Sequence, residues 1–533
     1  MRWIAQAKSL CKLTEPQCIF IKGEGLIGME RRVTLTFHSD NGREYLYDDV
    51  TGCILPWNEL LETVLSLEIS EASGQYWKGL ATQYGEKNVE VAHRFIKHWR
   101  DNYGAFLRSL ASNDVGTIPP SQLETHIRNT SFELILVVTE NCNLRCGYCG
   151  LSKVYSLNRV RTNRRMSIET ARHAVDWYVD LVSPQLSRNP RKRFGLSFYG
   201  GEPMMNMVVV KQVLDYIRGK YSGYFQPVMT TNGTLLTLKN AGIMVEHDVS
   251  LAISIDGPSE EHNRFRVDVH GKGSYTRIIE NLRRIKRIYP EYWNAKLTSV
   301  SVYDWGTDLE SVEKFFEKNS AIIPRSVFVN QVAVLNTDWY RRYTSADRTR
   351  MLDNINKLRA RYKRAKIEGN STSYYMNCLV GMPIALARLR KRSCDKQPSF
   401  LPFSGACIPG DKITVHVDGK IDMCERINGT FPIGNLDYGG IDYKRLSEII
   451  GQYGKEVLSE CPACPATKHC SICFATAGAA GIFKRDGDLC NATVALARQR
   501  LADYVSILEQ NPHADLHFET DTSRLEERML FDY

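Results

Sequence analysis

The sequence predicts an α/β protein: a parallel sheet covered by helices, preceded by a small α+β module and followed by a Cys-rich region. Two observations carry this. Six β-rich runs alternate with helical patterns over residues 130–340. A repeated strand–helix unit builds a parallel sheet, because each crossover helix returns the chain to start the next strand in the same direction. The second observation is the cysteine distribution: of 15, ten fall into two spaced groups, at 142–149 and 407–490.

The elements follow in order. Arg32–His38 and Glu44–Tyr47 flank Asp40-Asn41-Gly42, a hairpin signal because Asn-Gly tolerates the left-handed turn. Asn58–Leu67 reads as a helix, and Val91, Phe95, Trp99 and Tyr103 repeat every four residues in a second. Ser112–Ser121, with prolines 119 and 120, reads as a linker. The strands are Phe132–Val138, Gly195–Tyr199, Pro227–Thr231, Ser250–Ile255, Lys296–Val302 and Ser326–Val334. Between them lie helical patterns at Ile168–Val182, Val208–Arg218, Thr276–Arg287 and Leu309–Glu317. The expected division is 1–125, 126–340, a helical basic bridge at 341–399, a turn-rich domain at 400–495, and 496–533. The last helix is expected at Asn491–Glu509, with a polar tail after it.

Composition narrows the class. Hydrophobic residues are 43% and charged residues 24%, an ordinary globular balance. No apolar run approaches the ~18 residues that span a bilayer. The N-terminus lacks a signal-peptide core, so a cytoplasmic location is the default expectation. In a reducing compartment, cysteines at this density point to metal ligands rather than disulfides. The net charge of +9 includes basic clusters at Arg161–Arg165, Arg188–Arg193 and Arg388–Arg392. These read first as solvated surface and second as attraction for an acidic partner such as a peptide. No aromatic-basic signature accompanies them, so nucleic acid is disfavoured.

Cys142, Cys146 and Cys149 follow the first parallel strand with the spacing Cys-x3-Cys-x2-Cys. Three thiolates on a short loop can wrap one corner of a 4Fe–4S cluster and leave one iron open. A zinc knuckle is the competing reading, but it wants a fourth Cys or His nearby, and none follows Cys149 soon. The motif resembles the signature of the radical SAM superfamily, and Tyr148 before the third cysteine fits it. The resemblance implies a partial (β/α)6 TIM-type barrel, S-adenosylmethionine on the open iron, and a 5′-deoxyadenosyl radical. Chemistry in such barrels sits at the C-terminal strand ends.

Three further segments stand at those ends. Gly200-Gly201-Glu202-Pro203 follows the second strand and resembles the family motif that receives the methionine amino group. Its glycines permit close backbone approach. Thr231 and Asn232 end the third strand, and Ser254 and Asp256 end the fourth. The family has similar segments, in which a hydroxyl and a carboxylate suit ribose hydroxyls. Arg266 offers a planar fork for the cofactor carboxylate, with Arg264 as its rival. A simple turn, a β-turn and a surface ion pair are the plainer readings of these three segments.

The second group comprises Cys407, Cys424, Cys461, Cys464, Cys470, Cys473 and Cys490. These spacings resemble a SPASM domain, the auxiliary-cluster module of some radical SAM enzymes; two structural zinc sites are the alternative. The x2 gap between Cys470 and Cys473 departs from the three residues common in the family. The resemblance implies one cluster on Cys461, Cys464, Cys470 and Cys490, and another on Cys407, Cys424 and Cys473. The latter is one ligand short. Either Cys378 or Cys394 completes it, or an iron stays open for a substrate thiolate. With the first group, this makes three 4Fe–4S clusters.

Glu425 directly follows Cys424 and is the candidate base; a surface acid is the plain alternative. The sequence most resembles SPASM enzymes that mature ribosomally made peptides, and residues 1–125 resemble small leader-binding modules. The implied partners are a precursor peptide with a leader and an electron donor such as flavodoxin or ferredoxin. A thioether cross-link is the expected product, with formylglycine formation or C–C cross-linking as alternatives. A non-catalytic iron–sulfur electron carrier is the alternative of another class, and it has no need of a nucleoside pocket.

Overall fold

The computed structural model describes residues 30–70, 74–109, 118–155, 160–389, 409–427 and 431–516. Cys407, Cys394 and most of the expected linker lie outside them.

Three short antiparallel strands open the described chain: β2 (Thr34–His38), β3 (Glu44–Asp48) and β4 (Cys53–Pro56). A separate pair joins β1 (Glu30–Arg32) to β5 (Leu107–Ser109). The hairpin turns where expected, with Gly42 at φ +74°. Alternation along β3 sends Leu46 into a core with Leu55, Val64, Leu65 and Ile96, while Tyr45 and Tyr47 point the other way. Asn58 caps helix Glu59–Ile69 by accepting Leu61 N–H at 2.9 Å.

Helix Glu86–Tyr103 departs from the expected face. Its buried residues are Val89, Ala92 and Ile96, and Val91 is exposed. Residues four apart advance about 40° around the helix at each step, so a long i+4 row spirals off the core face. Phe95 and Trp99 still pack half-buried against that core, and tilted ring contacts link Phe95 to Trp99 and Trp99 to Tyr103.

Six parallel strands follow in chain order: β6 (Glu133–Thr139), β7 (Phe194–Gly200), β8 (Phe225–Thr231), β9 (Ser250–Ser254), β10 (Leu297–Tyr303) and β11 (Val327–Gln331). β6 and β11 do not pair, so the sheet is an open, partial barrel. Ser167, Thr237 and Asp308 cap the helices that follow them. Six of the seven β6 residues are buried, as both-face coverage demands.

The sheet does not end at β6. Strand β12 (Lys412–Val415) pairs parallel with it, and β13 (Lys420–Asp422), β14 (Gly434–Asn435) and β15 (Gly440–Ile441) extend the sheet antiparallel. One continuous core therefore runs from Leu134 and Phe198 to Ile421, Phe431 and Phe474. Helix Gly487–Gln510 closes the fold, packing Ala497, Leu501 and Val505 against Leu35, Phe37 and Tyr47. Among the described residues, no helix is long and apolar enough to cross a membrane.

Candidate active site

The cysteine loop leaves β6 and lies at the C-terminal end of the sheet. The amides of Leu144 and Leu151 donate to the thiols of Cys142 and Cys149, each at 3.4 Å. Burial pushes the Cys142 thiol up and that of Cys146 up to about 11. Cys142 also feels the charge of Cys149, and Cys146 that of both, so ionised thiolates here call for a cation among them. Among the described residues, only Asp215, Glu246 and His247 bring three ligand atoms within 4.8 Å of one another. Four-coordinate zinc would hold its sulfurs ~3.8 Å apart, from Zn–S bonds of ~2.3 Å. The three thiols do not converge that tightly.

Gly200 and Gly201 are pressed onto this loop. A Cβ on Gly200 would meet the Thr139 carbonyl at 2.1 Å, and one on Gly201 the Asn141 carbonyl at 2.1 Å. The close approach that needs glycine is thus backbone against backbone. Gly201 N–H donates to Thr139 O and Glu202 N–H to Asn141 O, each at 2.9 Å.

Glu202 is 1% exposed. Its Oε1 accepts Met204 N–H at 3.1 Å and the Thr231 hydroxyl at 2.7 Å; its Oε2 accepts Asn232 N–H at 2.7 Å. Burial raises its pKa and these donors oppose the rise. Three of roughly four acceptor sites on this carboxylate are therefore used internally. Asn232 carries the order onward. Its side-chain amide donates to Asn143 Oδ1 at 2.9 Å and approaches Cys142 Sγ at 3.8 Å.

Tyr148, Asp256 and Arg266 meet in one buried network. The Tyr148 hydroxyl donates to Asp256 Oδ2 and accepts from Arg266 Nη1 at 2.7 Å. Arg266 Nε is buried without a hydrogen-bond partner, which leaves a donor for an incoming carboxylate. Arg264 is held elsewhere, donating to Asp304 at 2.6 Å and Thr307 at 3.0 Å. Ser254 is half-buried at the end of β9.

Two residues beside this network escaped sequence reasoning. His262 is fully buried, and its Nδ1 accepts Asp256 N–H at 3.3 Å. Nε2 therefore carries the proton toward Ser274 Oγ at 2.9 Å, and Ser274 in turn bonds Arg266 O at 2.9 Å. This fixes Asp256 and Arg266 relative to one another. Burial holds the imidazole neutral, its pKa well below the usual value. Asp304, 1% exposed, gathers Arg264, the Tyr343 hydroxyl and Trp339 Nε1. Trp339 would meet a Cβ on Gly147 at 3.2 Å, so the 339–343 segment lies against the cysteine loop. The separation of 35 positions between Asp304 and Trp339 left no local signal. A small cleft opens between Tyr148, Asp256, Phe265, Tyr303, Asp304 and Val332.

In the Cys-rich C-terminal region, burial first and then the charges of Cys464, Cys470 and Cys490 push the Cys461 thiol up to about 12. Cys490 sits near the start of helix Gly487–Gln510, which Asp486 caps. Cys473 lies 3.6 Å from Thr476 Oγ1. Cys424 is buried at the end of β13, and the neighbouring Glu425 keeps its Oε2 buried without a hydrogen-bond partner. Cys378 is buried too, with its Sγ accepting Val329 N–H from β11 at 3.2 Å.

Residues 136–317 match the family described as the Radical SAM superfamily. An uncharacterized protein of Methanocaldococcus jannaschii is 27% identical over 305 residues, which is 57% of this chain and 88% of that protein. The radical SAM cyclopropyl synthase TigE of Paramaledivibacter caminithermalis is 28% identical over 154 residues, 28% of this chain and 32% of TigE. A cysteine-type anaerobic sulfatase-maturating enzyme of Clostridium novyi is 24% identical over 190 residues, 35% of this chain and 47% of that enzyme. The chain thus matches about a third to a half of the length of these two named relatives. Among solved structures, histidine-tagged anSMEcpe with bound AdoMet aligns at a TM-score of 0.52 and 15% identity, covering 75% of this chain and 99% of that one. That is a likeness of fold.

Proposed function

We propose that this chain, a radical SAM enzyme by its domain at residues 136–317, matures a ribosomally made precursor peptide by forming a thioether from a peptide cysteine. A 4Fe–4S cluster on Cys142, Cys146 and Cys149 with S-adenosylmethionine would supply a 5′-deoxyadenosyl radical, and two auxiliary clusters on the C-terminal thiols would supply an electron acceptor. The chain's own residues do the rest. Arg266 keeps a free Nε–H to orient the cofactor carboxylate. Tyr148, Asp256 and His262 hold that arginine in place. Trp339 and Phe265, with ring centroids 4.7 Å apart, shield the region from water.

One observation carries the peptide-modifying reading: the buried, unpartnered Glu425 Oε2 beside Cys424. A carboxylate with an empty acceptor is suited to take the proton that a substrate thiol must shed. The relatives named as a sulfatase-maturating enzyme and a cyclopropyl synthase make peptide substrates the natural class. The N-terminal module would bind the leader, and flavodoxin or ferredoxin would deliver the starting electron in the cytoplasm.

The test is a reconstituted reaction with S-adenosylmethionine, dithionite and, as substrate, any short Cys-containing peptide encoded by a neighbouring reading frame. The expected product has lost two hydrogens and no longer alkylates at the cysteine. Glu425→Gln should keep 5′-deoxyadenosine release but slow cross-linking by roughly 10²–10⁴-fold, the usual worth of a positioned base. A product that reacts with aldehyde reagents would replace the thioether reading by formylglycine formation.

A further inference from the structure

Arg108 lies on β5, 6% exposed, and every strong contact of its guanidinium leaves its own strand. Nη2 donates to Asp49 Oδ2 at 2.6 Å. Nη1 donates to Pro462 O at 3.1 Å and reaches Cys464 O at 3.4 Å. Asp49, fully buried, accepts the Thr467 hydroxyl, Lys468 N–H at 3.2 Å and the Tyr47 hydroxyl at 3.0 Å. The Lys468 ammonium donates to Val50 O at 2.7 Å. The Tyr47 ring meets His469 edge-on at 4.9 Å.

The C-terminal partners in these contacts, Pro462, Cys464, Thr467, Lys468 and His469, all lie between Cys461 and Cys470. That loop has little structure of its own: two 3-10 turns, Cys461–Ala463 and Thr467–His469. Two of its carbonyls and its central hydroxyl are satisfied from the N-terminal module. A buried carbonyl deprived of its donor is left desolvated and unpaired, so the loop's geometry depends on those contacts.

We propose that the N-terminal module is a wall of the auxiliary-cluster site, and that Arg108 is the positioning residue that fixes the ligand loop Cys461–Cys470. This rests on reading Cys461, Cys464, Cys470 and Cys490 as cluster ligands. Arg108 acts in two ways. Its planar fork spans Asp49 on one module and the loop carbonyls on the other, which a lysine cannot reproduce. With Lys468 it also sets positive charge beside a thiolate-rich site, among the buried carboxylates of Asp49 and Asp48. Net charge and nearby hydrogen bonds set cluster potential, so this charge favours the reduced form.

The experiment uses the full chain, reconstituted anaerobically. Wild type should hold about twelve irons on a three-cluster count. Arg108→Ala should hold about a third fewer while releasing 5′-deoxyadenosine at the wild-type rate, because the cysteine loop after β6 is untouched. Arg108→Gln, which keeps an amide donor and drops the charge, should lower the midpoint potential of an auxiliary cluster in an EPR-monitored titration. If Arg108→Ala does not fold, Arg108→Gln decides by that potential. Wild-type iron with wild-type potentials in Arg108→Gln would overturn the proposal and leave the auxiliary clusters standing. About four irons in wild type, one cluster's worth, would overturn the auxiliary-cluster reading and the proposal with it.

Discussion

Replacing Glu202 by Gln distinguishes two roles for the carboxylate after the Gly-Gly pair. Oε1 faces two donors, Met204 N–H and the Thr231 hydroxyl, and Oε2 faces a third, Asn232 N–H. Glutamine has one acceptor oxygen. With its carbonyl at the Oε1 place, its NH2 opposes Asn232 N–H; flipped, it opposes Met204 N–H. Either way a buried donor is stranded, at about 1–3 kcal/mol. The bonds that survive lose their charge assistance, which brings the total to about 2–5 kcal/mol. The damage should spread along Asn232 to Cys142 and Asn143, the atoms it touches. Urea unfolding of the apo protein, followed by tryptophan fluorescence, measures the loss, and iron analysis reports the cysteine loop. An unchanged unfolding midpoint with weakened S-adenosylmethionine binding would refute this reasoning. Glu202 would then act on the cofactor rather than on its own loop.

Changing Cys142, Cys146 and Cys149 together to Ala should abolish 5′-deoxyadenosine and lower iron from about twelve to about eight per chain on a three-cluster count; undiminished product would refute the role given to that loop. His262 is held neutral in the fold, with its pKa well below the ordinary 6.5. The unfolded chain takes up a proton below that value and the folded chain does not. Stability should therefore fall by about 1.4 kcal/mol per pH unit below 6.5, until the folded pKa is reached, and His262→Gln should remove that share of the slope. Cys378→Ala should leave iron content at the wild-type level, the outcome expected of an auxiliary cluster that keeps one iron open. Loss of a quarter to a third of the iron would instead make it an auxiliary ligand.

The parallel sheet was legible because its information is local and repeated. β6 is a near-continuous apolar run, β9 and β10 alternate buried with half-buried residues, and helices with Ser, Thr or Asp caps separate the strands. The cysteine spacings and the Gly-Gly-Glu-Pro and Ser-Ile-Asp-Gly turns were legible for the same reason: each is a few adjacent residues at a strand end. Only the tertiary structure decided what those residues touch. Gly200 and Gly201 press against the backbone of the preceding strand's loop, and Glu202 turns inward to three donors. Asp304 gathers Trp339 and Tyr343 from distant sequence. The short strand β12, four residues long, carried no signal strong enough to show that the Cys-rich domain continues the barrel's own sheet. Nor could periodicity show that Asp49 and Arg108 clamp a loop more than 350 residues away. Local pattern fixes which elements form, because it sets backbone preference and the apolar face. Pairing between distant segments depends on shape and charge that exist only after the chain has folded.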